Sequence, residues 1–466
     1  MKAIIVWFFV ILLIPRADSN TYNDDFYAHA DTDSVFVEGD SLIGLQNQEG
    51  FLQFIQGNVR VIYDSTQVTA NQAIRNVTRR RASFIGEAEL IDEGDTLRAD
   101  SLDYDEELEV GRALGNVHMT DGEVTTTSPE GIYYLDQHRM EFSRGLVLED
   151  SATTLIGETG LYWTEDKIAD LAGNVEMKSE GVRMTADSLT HYRDRSISVA
   201  RGSVRYLATS ENDSTWVTGD RMEYNADDSL SVIQGTPLLI HLQHDSLSID
   251  TLIIRAEFLR IQDQQKSSHL HASRNVRIWN GSLAALSDSM RYDRAESDSL
   301  ENMWLYGQPF IWSNQIQLTG DTMKVVMKDG VMDSLFIWGN AFVAQEDSSI
   351  KRINQVKGQT LISTLEADSL RIFRVGPNAE AIFFSTNGEG LPDGAIEASG
   401  DEIRMQFEKD SLQTLTFSTD VQGTRYPENA VPDVLNLDGL QWDPSKRPVR
   451  EQLLGQFLLW IQEWDH

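Results

Sequence analysis

Cysteine is absent from the 466-residue chain, which excludes disulfides, thiolate metal sites, cysteine nucleophiles and cysteine-linked lipid anchors. Positive charge is scarce: 39 Lys and Arg stand against 73 Asp and Glu, for a net charge of −34. A phosphate backbone is held mainly by Lys and Arg, so this balance argues against nucleic acid as a partner. Proline is rare, and four of the ten fall in one short stretch, at Pro427, Pro432, Pro444 and Pro448. Helical spacing of apolar residues is missing from Asp31 to about Thr424. HExxH, GxSxG, P-loop and GxGxxG motifs are absent as well, and no enzyme signature replaces them.

Long apolar runs are missing apart from one. Ala3–Ile14 follows Lys2 and leads to Pro15, Arg16 and the small residues Ala17 and Ser19. Twelve apolar residues are too few to span a bilayer but fit a signal peptide, cut near Ser19/Asn20. The chain is therefore read as exported. Its hydrophobic fraction of 41% is ordinary, so a core can be buried despite the charge.

What is present is repetition. "GNVRV" at Gly57 returns as "GEAEL" at Gly86, "GNVHM" at Gly115, "GLVLE" at Gly145, "GNVEM" at Gly173 and "GSVRY" at Gly202. The steps are 29, 29, 30, 28 and 29 residues, with looser copies at Gly235, Arg274, Gly307 and Gly339. A second signature keeps step with the first: an acid followed by a small residue and an apolar one, as in "RADSLDY" and "TADSLTHY". Its acids run Asp100, Glu130, Glu158, Asp187, Asp220, Glu257, Asp288 and Asp321.

Inside a unit the apolar period is two, so each unit is two antiparallel strands of about 11 residues, roughly 36 Å each. About two dozen strands follow, joined by turns rich in Asp, Asn, Gly and Ser. At Asp-Ser the parity of the apolar positions flips, as Met184 and Ala186 give way to Leu189. That predicts a β-bulge at the acid and a strand bent there, with a further bend at the glycine. A row of calcium ligands is the weaker reading, because calcium needs several oxygens in one short loop. Long strands bent at repeated corners make an all-β fold, a long twisted antiparallel jelly roll with one elongated apolar interior.

The inward positions are Val117, Met119, Leu146, Leu148, Leu161, Trp163, Val175, Met177, Met184, Leu189, Val204, Tyr206, Met222 and Tyr224. They either fill the core or line a lipid-sized groove, for which flexible Met side chains are suited. His241, His244, His269 and His271 are the only local histidine clustering, and scattered solvent-facing positions explain them better than a metal site. No catalytic residue, metal ligand or cofactor is assigned.

The signal peptide, the "GNV" strand starts, the "TADSLxY" strand middles and the ~29-residue step resemble the OstA-like (organic-solvent-tolerance) family. That family includes the periplasmic bridge protein of lipopolysaccharide transport and the N-terminal domain of its outer-membrane partner. The resemblance is clearest over Gly86–Tyr224 and continues more weakly to "EADSLRI" at Glu366. It implies a twisted jelly roll, open at its ends, whose apolar groove shields acyl chains. It also implies edge-to-edge pairing with similar jelly-roll transport proteins, a periplasmic location and association with the outer membrane. The length resembles the long members familiar from the Bacteroidota, and no outer-membrane barrel is expected after Pro427.

The expected organisation is a signal peptide over 1–19, jelly-roll repeats over 20–345 with a break near 205–235, and an insertion or hinge at 346–360. Final repeats at 361–425, a Pro-rich linker at 426–448 and an amphipathic helix at 449–466 complete it. The helix is expected to cap the open end of the last sheet. Two functions fit this plan: a carrier of lipopolysaccharide or a related lipid, and a structural or adhesive surface solenoid without a lipid ligand. A polysaccharide-acting β-helix enzyme fits least.

Overall fold

The structure, a computed structural model, describes residues 36–455 and 457 apart from 49, 64–65, 93, 211–212, 246–247, 265–266, 282, 296–299, 329–330, 367–368 and 409–410. The expected signal peptide and the apolar positions Leu458, Ile461 and Trp464 lie outside the described residues. Alternation at period two gives 34 strands, paired antiparallel. This exceeds two dozen because long strands are interrupted at corners. Leu300–Tyr306 and Phe310–Ser313, for example, both lie against the single strand Leu283–Ala295.

One corner shows how the sequence bends the sheet. Where Ile168–Ser179 runs against Val182–Tyr192, Ala172 pairs with Ser188 and Val175 with Ala186. Gly173 and Asn174 therefore face Asp187 alone, and both are left-handed, at φ 79° and 45°. The extra residue sits on the glycine strand and not at Asp-Ser, which corrects the expected bulge. Parity still switches on the acid's strand, where Met184, Ala186 and then Leu189 are buried. On the glycine strand Leu171 and Val175 keep one parity, because the chain crosses two left-handed residues between them.

The acid has a different task. Asn116 Nδ2 donates to both carboxylate oxygens of Asp100 at 3.1 Å, and Asn340 donates likewise to Asp321 at 3.3 and 3.2 Å. Asn174 donates to Glu158 at 2.5 Å. The same carboxylates lie over the glycines, so that a Cβ on Gly115, Gly235, Gly307 or Gly339 would overlap Asp100, Asp220, Asp288 or Asp321. The two sequence signatures are thus two halves of one lock, joined between neighbouring strands.

The chain divides into two compact units, residues 1–200 and 201–466. The break falls slightly before the expected 205–235. In the N-terminal unit the bent strands bury Met140, Leu148, Leu155 and Leu189 completely. In the C-terminal unit Leu259, Met290, Leu305, Met323 and Ile337 do the same. The stretch 346–360, expected as an insertion or hinge, belongs to a hairpin in which Val331–Asp347 returns as Arg352–Glu366 and Asp347 pairs with Arg352.

The tail packs on the C-terminal unit. Ile253 and Ile254 are consecutive, point to opposite faces and are both fully buried. One face is the interior of the roll, and the other is covered by the C-terminal segment. The short helix Arg450–Leu454, with Phe457, packs on Leu238, Ile240 and Ile253. Upstream, Leu437 sits on Phe342, Ala344 and Ile382. Polar contacts fix the path: Arg352 pairs with Glu428, Gln355 Oε1 accepts from the Leu437 amide at 2.8 Å, and Arg255 donates to the Leu453 carbonyl at 3.0 Å. The tail is a strap laid back across the outer face of the unit, and its helix meets early strands of that unit. The described part of the helix lies on those early strands and not on the last sheet.

Candidate functional site

An apolar cavity of about 110 Å³ lies within the N-terminal unit. Val61, Val68, Leu90 and Leu97 line it from one side of the corners, and Ile55, Ala73, Phe84 and Leu102 from the other. Leu97 precedes Asp100 and Leu102 follows it, so the corner lock places both walls. Space of this size with apolar walls stays dry and accepts hydrocarbon.

The charged groups that line it lie on one wall. Arg75 donates from Nε to Glu106 Oε1 at 2.7 Å and from Nη2 to Oε2 at 3.0 Å, with both residues buried. A paired, doubly hydrogen-bonded geometry is what a buried ion pair needs to survive desolvation. Beside it the Tyr104 hydroxyl is buried without a hydrogen-bond partner among the described residues. Burial, and then the negative charges of Glu109, Glu106 and Asp105, push its pKa well above the ordinary value. It stays a neutral donor at the cavity wall.

None of the fourteen inward positions read from the sequence lines this cavity. Ten of them are core: Leu148, Leu189, Val117, Met222, Leu146, Val175, Met184, Val204, Met119 and Met177 are all at or below 5% exposure. Tyr206 and Tyr224 are half-buried. Leu161 and Trp163 are half-buried too, because the strand Thr159–Trp163 turns Gly160 and Tyr162 inward instead. The corner at Glu158 sets that parity, and the small size of Gly160 disguised it. The cavity was missed because its walls carry the same Val, Leu, Ile and Phe as a filled core. Arg75 and Glu106, 31 residues apart, carry no local signal of pairing.

A second buried polar group ties three turns of the same unit together. Asp121 Oδ2 accepts from Tyr162 at 2.7 Å and from Arg193 Nη1 at 2.9 Å. Arg193 Nη2 reaches Glu123 at 2.6 Å. Burial alone would raise the Asp121 pKa, but Tyr162, the Val124 and Glu123 amides and Arg193 together lower it. These contacts are structural ties between distant turns.

The histidines do not converge. His241 meets Thr215 at 2.9 Å and His269 meets Asp293 at 2.7 Å, on strands after and before different corners. Among the described residues no cluster of three metal-binding side chains occurs, and no helix is long and apolar enough to cross a membrane.

No model of a known protein family matches the chain, and no curated protein matches it either. Among solved structures it is similar to LptH from Pseudomonas aeruginosa, described as the LptA-homologous periplasmic component of the lipopolysaccharide transport device. The identity is 16% and the TM-score 0.23, over 24% of this chain and 93% of that one.

Proposed function

We propose that the protein is an exported carrier for the acyl part of lipopolysaccharide or a related outer-membrane lipid, working in the periplasm and at the outer membrane. The observation that carries this reading is the apolar cavity between the two walls of the bent sheet in the N-terminal unit. Hydrocarbon is held there by dispersion and by exclusion from water, at roughly 25 cal/mol per Å² of apolar surface removed from solvent. Weak contacts of this kind, repeated along a roll, hold a lipid without trapping it. Those of the residues from Val117 to Tyr224 that face inward extend the path, with Met119, Met177, Met184 and Met222 the most adaptable. No bond is made or broken, and no catalytic step or cofactor is assigned. Phosphorylated headgroups stay outside or are bridged by divalent cations, as the net charge of −34 requires.

Handover uses strand edges. Ser41–Asn47 is exposed at every residue, with Leu42, Ile43 and Leu45 at 59, 49 and 53%. An apolar strand exposed on both faces near the start of a sheet suits pairing with another jelly-roll protein. The packed state of ten of the fourteen inward residues supports the second reading, a structural roll without ligand. One experiment separates the two: a photo-crosslinking residue is placed at Phe84, Met177 or Tyr206 in cells. Lipopolysaccharide adducts are expected, strongest from Phe84. If no inward position yields a lipid adduct, the carrier reading is overturned and the structural one stands.

A further inference from the structure

The two outer faces of the C-terminal unit differ in chemistry. Under the strap the cross-strand row is apolar: Trp216, Ile240, Ile253, Trp279, Ala284 and Trp312 stand in register. On the other side of the corners a second outward row crosses the sheet. It begins Arg260, His271, Arg291, continues Trp304, Lys324, Phe336, and passes through Ile362 to Arg374 and Arg404. At about 4.8 Å per strand this row is roughly 38 Å long. Six of its nine members are cationic or titratable to cations, in a chain of net charge −34. Arg260, His271, Arg291, Arg374 and Arg404 are exposed.

The middle of the row is an aromatic platform. Trp304 stacks on Trp338 at 5.4 Å and on Tyr306 at 6.3 Å, and Phe336 stacks on Trp338 at 5.7 Å. Tyr306 and Trp338 are each 38% exposed, and the Lys324 ammonium lies 5.2 Å over the Trp304 ring. The row beside it supplies hydroxyls, with Thr322 between Tyr306 and Trp338 and Thr360 beyond. At the Arg260 end is a hollow of about 290 Å³, lined by Arg260, His269, His271, Arg291 and Asp293.

We propose that this face binds an anionic polysaccharide, a chain of sugars carrying carboxylate or phosphate groups. Sugar rings present flat C–H faces that stack on exposed aromatic rings, while their hydroxyls need polar neighbours beside those rings. The platform and its flanking threonines offer both. The cations on either side suit charges spaced about one per sugar, and Arg forks bind carboxylate and phosphate bidentately. A nucleic acid fits less well. Its charge is denser, and two of the cations already lean on acids, Arg291 on Asp293 at 2.8 Å and Arg374 on Glu402 at 2.5 Å. A purely apolar partner would leave the row of cations desolvated and unpaired.

This site is independent of the lipid cavity in the other unit, and its test is separate. The full chain is titrated with an octamer of galacturonic acid at low salt, with tryptophan fluorescence as the signal. Saturable binding is expected, at least about tenfold tighter than to a neutral maltooctaose, a gap of about 1.4 kcal/mol. Trp304→Ala with Trp338→Ala should weaken it about tenfold or more, and Lys324→Glu should do so without removing a packed ring. Thermal melts confirm that the variants fold. The proposal is overturned if the octamer does not bind, or if both variants bind as tightly as the parent. Equal binding of oligothymidine, polyglutamate or anionic vesicles would overturn it too, since any of these would show charge attraction alone.

Discussion

A single half-buried side chain can report how this chain senses pH. His191 lies in the N-terminal unit with Nδ1 2.9 Å from Ser198 Oγ. Burial lowers its pKa below the ordinary 6.5, and Arg193 adds to this against the opposing charge of Asp150. As pH falls below 6.5 the unfolded chain takes up a proton that the folded one refuses, so stability drops toward acid and is regained above 6.5. The slope is at most about 1.4 kcal/mol for each pH unit. Urea melts at pH 7.5 and 5.5 should show a lower midpoint at 5.5, and His191→Gln should shrink that difference. A difference unchanged in the variant would assign the acid sensitivity elsewhere. Residue-scale features of this kind were not legible in the sequence. Asp121 and Arg193 are 72 residues apart, and only the stacking of turns brings them together.

At the scale of the element, the corner decides. Gly115 has φ 76°, and a Cβ there would overlap the Asp100 carboxylate. Gly115→Ala therefore meets both backbone strain and a clash, at a cost of about 1–3 kcal/mol. Asn116→Ala loses a solvent-exposed hydrogen bond and leaves alanine at a left-handed φ of 48°, but meets no clash, and should cost about 0.5–1.5 kcal/mol. Chemical denaturation of both variants checks the order, and equal losses would mean the carboxylate's position over the glycine is unimportant. Strands, corners and their step were legible because period two and the repeated glycine are local signals. The partner of the acid was not. Parity placed the disruption at Asp-Ser, whereas the extra residue lies on the neighbouring strand, where only register reveals it. Leu161 and Trp163 mislead for a related reason: Gly160, which faces inward, has no side chain to mark the parity of its strand.

For the molecule as a whole, the sequence pattern marks a repetitive β protein and does not reveal how its C-terminal unit is closed. The prolines predict a linker of extended or turn-like character, with no signal of the surface beneath it. Pro427 to Phe457 instead covers an apolar row that the strands leave on their outer face. A chain ending at Tyr426 should expose Ile240, Ile253 and Phe342, bind a hydrophobic dye and melt several degrees lower. A truncated chain with an unchanged melt and no dye binding would show that the strap adds nothing. The cationic row on the opposite face was also hidden, because its members come from strands spread over Arg260 to Arg404 and meet only through pairing.

Where a corner glycine is locked to the acid of a neighbouring strand, the pairing has one more consequence. Asp100 serves Asn116, Glu158 serves Asn174 and Asp321 serves Asn340, at separations of 16, 16 and 19 residues. Each partnership therefore fits inside one repeat length. A gene segment that duplicates or drops a whole repeat leaves these locks intact, whereas a half-repeat change parts an acid from its asparagine. Length in such a protein can grow or shrink in whole steps without redesign of the joints. The span of the roll is then an inherited variable, adjustable independently of the chemistry on its faces.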